Sequence, residues 1–336
     1  MRGYVTAAIA AIGLFAAAPA AAQDRYSNLF VFGDSLVDSG NARIARLSQG
    51  GQDPAPPALG YFEGRFSNGY NFADYVSLDL FGDPATAFLA GGTNFSVGGA
   101  QASERAGDAS PSFAEQIATF TASGLTFSPD SLVLVTLGGN DVRFQLGQAA
   151  MGQAPTLAPA IDALESGLSS LLGLGARTII VTGLPDIGQI PVVTRLNNPA
   201  LSALGTRLSF DLNEAFRGSV SDLSGGMSGA NLRFFDLFAY QRAIYADPTA
   251  YGLPATLNTR DACLLVPGAA PGCDGFVYFD TIHPTTQVHR AIADGLVAQA
   301  VAVPEPATWG LLIVGVGAVG GALRRRRYAA RMAFAA

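Results

Sequence analysis

Four short, mainly apolar runs constrain this chain more than any other feature: Leu29-Phe30-Val31-Phe32, Leu132-Val133-Leu134-Val135-Thr136-Leu137, Thr178-Ile179-Ile180-Val181 and Leu232-Arg233-Phe234-Phe235. Each is rich in β-branched or aromatic residues and lacks polar alternation, as expected of strands buried on both faces of a parallel sheet. Helical patterns lie between them. Ile161, Leu164, Leu168, Leu171 and Leu172 recur at close to 3.6 residues within Ala160–Leu174. The stretch Pro199–Phe216 starts with Asn198 as a cap and Pro199 at the first helical position. A final helix begins near Pro284 and runs past Val297. This alternation predicts an α/β fold, a parallel sheet covered by helices on both faces. Right-handed crossovers then bring the strand C-termini to one edge, where ligands bind.

The chain shows no internal repeat. Stretches rich in Gly, Pro and Ser fall at about 48–60, 82–93, 103–112, 147–158 and 247–275 and are read as loops, none long enough for a separate domain. The 40 glycines and 19 prolines suit many turns rather than a helical bundle. The basic residues are all arginines, and the net charge of −6 argues against a nucleic-acid partner, which needs a basic face.

Both ends read as processing segments. Arg2, an apolar run from Val5 to Ala18 and Ala20-Ala21-Ala22 before Gln23 make residues 1–22 a secretory signal peptide, with an uncleaved anchor as the alternative. Near the other end come Pro304-Glu305-Pro306, an apolar run from Trp309 to Leu323 and four arginines, Arg324–Arg327. As a helix that run reaches only about 22 Å, short of a hydrocarbon core of roughly 30 Å. Residues 303–336 resemble the PEP-CTERM sorting signal of Gram-negative bacteria. The resemblance implies transient inner-membrane association, recognition by an exosortase, removal of the tail and delivery to the periplasm, cell surface or matrix. The alternative is a plain transmembrane helix held by positive-inside arginines.

Cys263 and Cys273 are the only cysteines. In an exported chain they are expected to pair and staple a Pro/Gly-rich loop. Metal binding is the weaker reading, because no histidine stands at ligand spacing.

Four places carry candidate chemistry. Ser35, in Gly33-Asp34-Ser35-Leu36, follows the first strand and so faces the ligand edge, although a Ser after such a turn is usually a cap. His283 stands just before Pro284, which keeps it on a loop, and Asp280 three residues upstream can turn back to accept its N–H. A hydroxyl nucleophile needs such a base. His289, the other histidine, is read as a surface or packing residue. Asn140, in Gly138-Gly139-Asn140-Asp141, can donate to a developing oxyanion or simply belong to a turn and cap. In Asn94-Phe95-Ser96-Val97-Gly98-Gly99-Ala100 a glycine can bring a backbone N–H close to a ligand, or make a tight turn.

In their joint order these blocks resemble the GDSL/SGNH hydrolases, in which successive segments supply Ser, Gly, Asn and His. Gly64-Arg65-Phe66-Ser67-Asn68-Gly69 and Gly183-Leu184-Pro185-Asp186-Ile187-Gly188 resemble further segments of the lipase-like branch. The resemblance covers about residues 27–300 and implies a three-layer α/β/α, flavodoxin-like domain over residues 23–302. It implies Ser35 as nucleophile, Asp280 and His283 as its triad partners, and an oxyanion hole from Ser35, Gly99 and Asn140. Gly98 competes with Gly99 for that last role. No metal or cofactor is expected. The implied activity is that of an esterase or lipase; a carbohydrate acetylesterase and a non-catalytic surface-matrix module on the same fold are the alternatives. The α/β-hydrolase elbow G-x-S-x-G is excluded, because Val37 stands where its second glycine belongs.

Overall fold

The computed structural model describes residues 26–226, 229–269 and 272–302, with isolated positions of the tail. The segment 1–22, expected from the sequence to be a signal peptide, and nearly all of segment 303–336 lie outside the described residues. Residues up to Val297 form one compact unit and those from Ala298 a second; the account below concerns the first.

The four apolar runs are the four strands of one parallel sheet: β1 Asn28–Gly33, β2 Ser131–Thr136, β3 Thr178–Thr182 and β4 Asn231–Phe235, side by side in chain order. Every residue of β2 is buried, and all but the first of β1 and β3. A minimal fifth strand borders β1. There Val31 donates to Thr93 O (3.2 Å), Phe95 N–H donates to Val31 O (2.7 Å) and Val97 N–H donates to Gly33 O (3.1 Å). The chain thus steps from β1 to one side and then returns to the other for β2. That reversal is a topological switch point, the place where open α/β sheets bind ligands beyond their strand C-termini.

The helices are α1 Asn41–Ser48, α2 Phe72–Phe81, α3 Phe113–Ser123, α4 Gly139–Ala150, α5 Ala158–Gly173, the single turn α6 Pro191–Thr194, α7 Pro199–Gly226, α8 Leu237–Ala246 and α9 Thr286–Val301. One outer layer holds α3, α5 and α7 packed side by side. The other joins α2, α8 and α9. Tyr75 Oη meets Thr286 Oγ1 at 2.8 Å, and Tyr240 Oη donates to Ala291 O at 2.9 Å. The result is the three-layer α/β/α sandwich. Capping boxes Asn71–Asp74 and Ser112–Glu115 start α2 and α3. Asn198 Oδ1 accepts from Leu201 N–H at 3.2 Å, the expected cap of α7, which continues well beyond Phe216.

Within the stretch read as a loop at 247–275, Asn258–Ala262 forms a strand, β5, paired in parallel with β6, Phe276–Tyr278. Cys263 and Cys273 are joined by a disulfide, and the bridge packs with Phe279 and Tyr61. Among the described residues no helix is long and apolar enough to cross a membrane.

Candidate active site

Ser35 stands on the turn directly after β1, at the switch point. Its Oγ lies 2.8 Å from His283 Nε2, and His283 Nδ1 lies 2.7 Å from Asp280 Oδ2. The loop that carries Asp280 and His283 shapes itself. Asp280 Oδ1 accepts the N–H groups of Ile282 and His283, both at 2.7 Å, so the carboxylate turns back under the ring, as its spacing predicted. Burial pushes the Asp280 carboxyl up. The charge of His283 and the hydrogen bonds from its ring, its N–H and that of Ile282 outweigh this and hold the group at about 2. Asp280 is therefore ionised throughout the working range.

The segment Gly64–Gly69 fastens this loop from outside. Ser67 Oγ donates to Pro284 O at 2.9 Å, and Asn68 Oδ1 accepts from Thr286 N–H at 2.9 Å. Phe66 lies against the His283 ring, with centroids 5.2 Å apart. From the other side Val192 N–H donates to Thr281 O at 2.8 Å, just beyond the segment Gly183–Gly188.

The N–H groups of the two glycines that the sequence offers as amide donors differ in what they meet. The Gly98 N–H is already committed to Asp38 Oδ2 at 2.8 Å. The Gly99 N–H has no partner among the described residues, and neither has that of Ser35. Gly99 has φ +89°, a left-handed conformation that a side chain would strain. At Gly98 the constraint is space, since a Cβ there would come within 2.3 Å of the Phe66 ring.

Asn140 begins α4. Its Nδ2 donates to Ala100 O at 2.9 Å, and its Oδ1 accepts from Arg143 Nη1 at 2.9 Å. The arginine can only donate, which fixes the amide orientation and leaves the second Nδ2 hydrogen for a ligand. Asp141 ties the same strip of chain by accepting from Ala102 N–H at 2.9 Å and Ser103 Oγ at 2.8 Å.

Ser35, Gly99, Asn140, Arg143 and His283 line one cavity of about 590 Å³. The rest of its wall is mostly apolar, with Phe66, Phe88, Leu89, Phe95 and Val97 prominent.

Sequence reasoning gave no role to Asp38, Arg143 or Tyr61. Asp38 accepts four backbone N–H groups, from Gly40, Asn41, Ala42 and Gly98. It thereby caps α1 and holds the glycine strip with one carboxylate. An acidic residue just before the Gly40-Asn41 helix start is a capping signal that could have revealed half of this. His289 is not at the surface. It is 1 % exposed, sits 5.6 Å from the Phe72 ring, and burial lowers it to about 3. It is a neutral packing residue with no contact to Ser35.

The chain is similar to known proteins. The model of the GDSL-like lipase/acylhydrolase family matches residues 29–296. The PEP-CTERM protein-sorting motif matches residues 302–327, which indicates export from a Gram-negative cell. A GDSL esterase/lipase of Arabidopsis thaliana is 26 % identical over 79 % of this chain and 87 % of its own length. The thermolabile hemolysin of Vibrio parahaemolyticus is 24 % identical over 81 % of this chain and 63 % of the hemolysin. Among solved structures, an acetylxylan esterase of Geobacillus stearothermophilus aligns over 82 % of this chain and 94 % of its own, at 16 % identity and a TM-score of 0.44. With a family model spanning the whole sheet from β1 to α9, the chain belongs to the GDSL-like lipase/acylhydrolase family and is a hydrolase of ester bonds.

Proposed function

We propose that this chain is an exported serine esterase that cleaves carboxylic esters through an acyl-enzyme on Ser35. The observation that carries the reading is the continuous relay Ser35–His283–Asp280, with contacts of 2.8 and 2.7 Å. His283 Nε2 takes the Ser35 Oγ proton as Oγ attacks the ester carbonyl carbon. The carbonyl electron pair moves onto oxygen, which the N–H groups of Ser35 and Gly99 and the Asn140 amide receive. Collapse expels the alkoxide, which takes the proton from His283. Water then attacks the acyl-enzyme, again losing its proton to His283, and the acid departs as Ser35 recovers its hydrogen. Asp280 stays ionised throughout and stabilises the imidazolium.

The apolar wall beside Ser35 supports an acyl group larger than acetyl. Residues 1–22 act as the export signal in this reading, residues 23–302 as the enzyme, and residues 303–336 as a tail that an exosortase removes.

The test is hydrolysis of p-nitrophenyl butyrate by the full chain and its Ser35→Ala variant. The variant is expected to fall to near the uncatalysed rate. Equal rates in the two proteins would overturn the proposal.

A further inference from the structure

Asp280 Oδ2, the oxygen that faces the His283 ring, has a second partner. Tyr61 Oη donates to it at 2.8 Å across 219 positions of sequence. With Oδ1 held by two backbone N–H groups, the carboxylate receives four hydrogen bonds. Three come from its own loop; among the described residues Tyr61 supplies the only one from outside it. Burial, then the Asp280 charge, pushes the Tyr61 hydroxyl well above its ordinary value, so it remains a donor at every working pH.

Tyr61 is itself packed on a platform of described neighbours. Its ring meets the Phe279 ring edge to face, with centroids 5.0 Å apart. Phe279 packs with the Cys263–Cys273 bridge, and Leu264 N–H donates to Phe279 O at 3.0 Å. Asn68 Nδ2 reaches the same stapled loop, donating to Gly272 O at 2.8 Å. The disulfide cluster thus holds both the residue before Asp280 and the ring whose hydroxyl meets Asp280.

We infer that Tyr61 is a positioning residue for Asp280 and that the Cys263–Cys273 bridge with Phe279 is the platform that sets it. The inference rests on the Ser35–His283–Asp280 reading above. By drawing charge toward its own hydroxyl, Tyr61 moderates the hold of Asp280 on the imidazolium. By fixing Oδ2, it sets the orientation of the His283 ring toward Ser35.

Without the Tyr61 hydroxyl, carboxylate charge concentrates on the face toward His283 and favours the protonated ring. The acid limb of kcat/KM therefore moves to higher pH. The other charged or titratable groups acting on this pair are Asp34, Arg143 and His289, all unchanged by the substitution.

The experiment compares the full chain with Tyr61→Phe, Asp280→Ala, the double variant and Ser35→Ala, recording kcat, KM and pH profile for each. Tyr61→Phe keeps the ring against Phe279. It is expected to lower kcat roughly tenfold, the low end for a hydrogen bond to a charged group. KM should hold, and the acid limb should shift upward. In the Asp280→Ala background the same substitution should change nothing further. A Cys263→Ser/Cys273→Ser variant should reproduce the kcat loss and the shift without altering Tyr61, and decides the matter should Tyr61→Phe not fold. An inactive Ser35→Ala beside unaltered kcat and pH profile in the Tyr61 and cysteine variants would end this inference and leave the esterase reading intact. An active Ser35→Ala would end both. A tenfold loss that persists in the Asp280→Ala background would mean that Tyr61 acts by packing alone.

Discussion

Asp38 Oδ2 takes the N–H of Gly98 at 2.8 Å and so leaves the next amide along the chain, that of Gly99, directed to other work. One buried carboxylate joins the segment after Ser35 to the glycine strip. Replacing Asp38 by Asn puts a donor where only N–H groups point, at a cost of about 1–3 kcal/mol per group left unpaired. Asp38→Asn is expected to lower kcat at least tenfold with a smaller change in KM, and to lower the thermal midpoint. Steady-state kinetics with a calorimetric melt checks both; wild-type kcat in a well-folded variant would refute the link.

Asn140 gives a sharper test of the oxyanion site. Removing one donor of this kind typically costs about 10²–10³ in turnover. Asn140→Ala should show that loss in kcat with KM little changed. Arg143→Met frees the Asn140 amide to rotate and should cost roughly tenfold, the worth of one hydrogen bond to a charged group. If Arg143→Met proves as damaging as Asn140→Ala, the arginine has a direct role beyond orientation.

Asp34 ties stability to pH. Burial raises its carboxyl from 3.8 to about 7, against a lowering by the Leu36 N–H that it accepts. The folded chain thus keeps a proton that the unfolded chain releases near pH 4. The stabilising effect is whole below the unfolded value and drains away as pH rises through about 7. Asn at this position cannot ionise and still accepts from Leu36. Asp34→Asn should raise the thermal midpoint at pH 8 and barely move it at pH 4. Equal gains at the two pH values would show that charge is not the cause.

The apolar wall of the cavity makes acyl length measurable. Each methylene buried contributes about 0.8 kcal/mol, or roughly fourfold in kcat/KM. Rates on p-nitrophenyl esters should climb from acetate toward hexanoate. Ala45, on the α1 side of the cavity, offers a place to fill it. Ala45→Trp should flatten the series while sparing acetate. A flat series in the unaltered chain would favour acetyl esters instead.

The sheet was legible because β1 to β3 are buried on both faces, so their sequences are apolar without interruption. The helices were less so. α2 buries Asp74, which pairs with Arg65 at 3.0 Å, and that polar residue breaks the apolar period of its inner face. α4 starts in Gly138-Gly139-Asn140-Asp141 and reads as a turn. β5, Asn-Thr-Arg-Asp-Ala, has no strand-like alternation, and it pairs irregularly with a β6 of three residues. At the site, residue types and order pointed to Ser35, Asn140, Asp280 and His283, which the fold brings to one cavity. Gly98 and Gly99 could not be separated, since two adjacent glycines differ only in what their N–H groups meet. Tyr61 carried no signal at all, because its role arises from a contact that no local pattern encodes.

The Ser35–His283 contact spans 248 positions. A chain clipped or stalled anywhere before its last sixth carries the hydroxyl without the ring that would make it reactive. On the proposed mechanism such a chain transfers no acyl group, so hydrolysis begins only once the segment after β6 has been made.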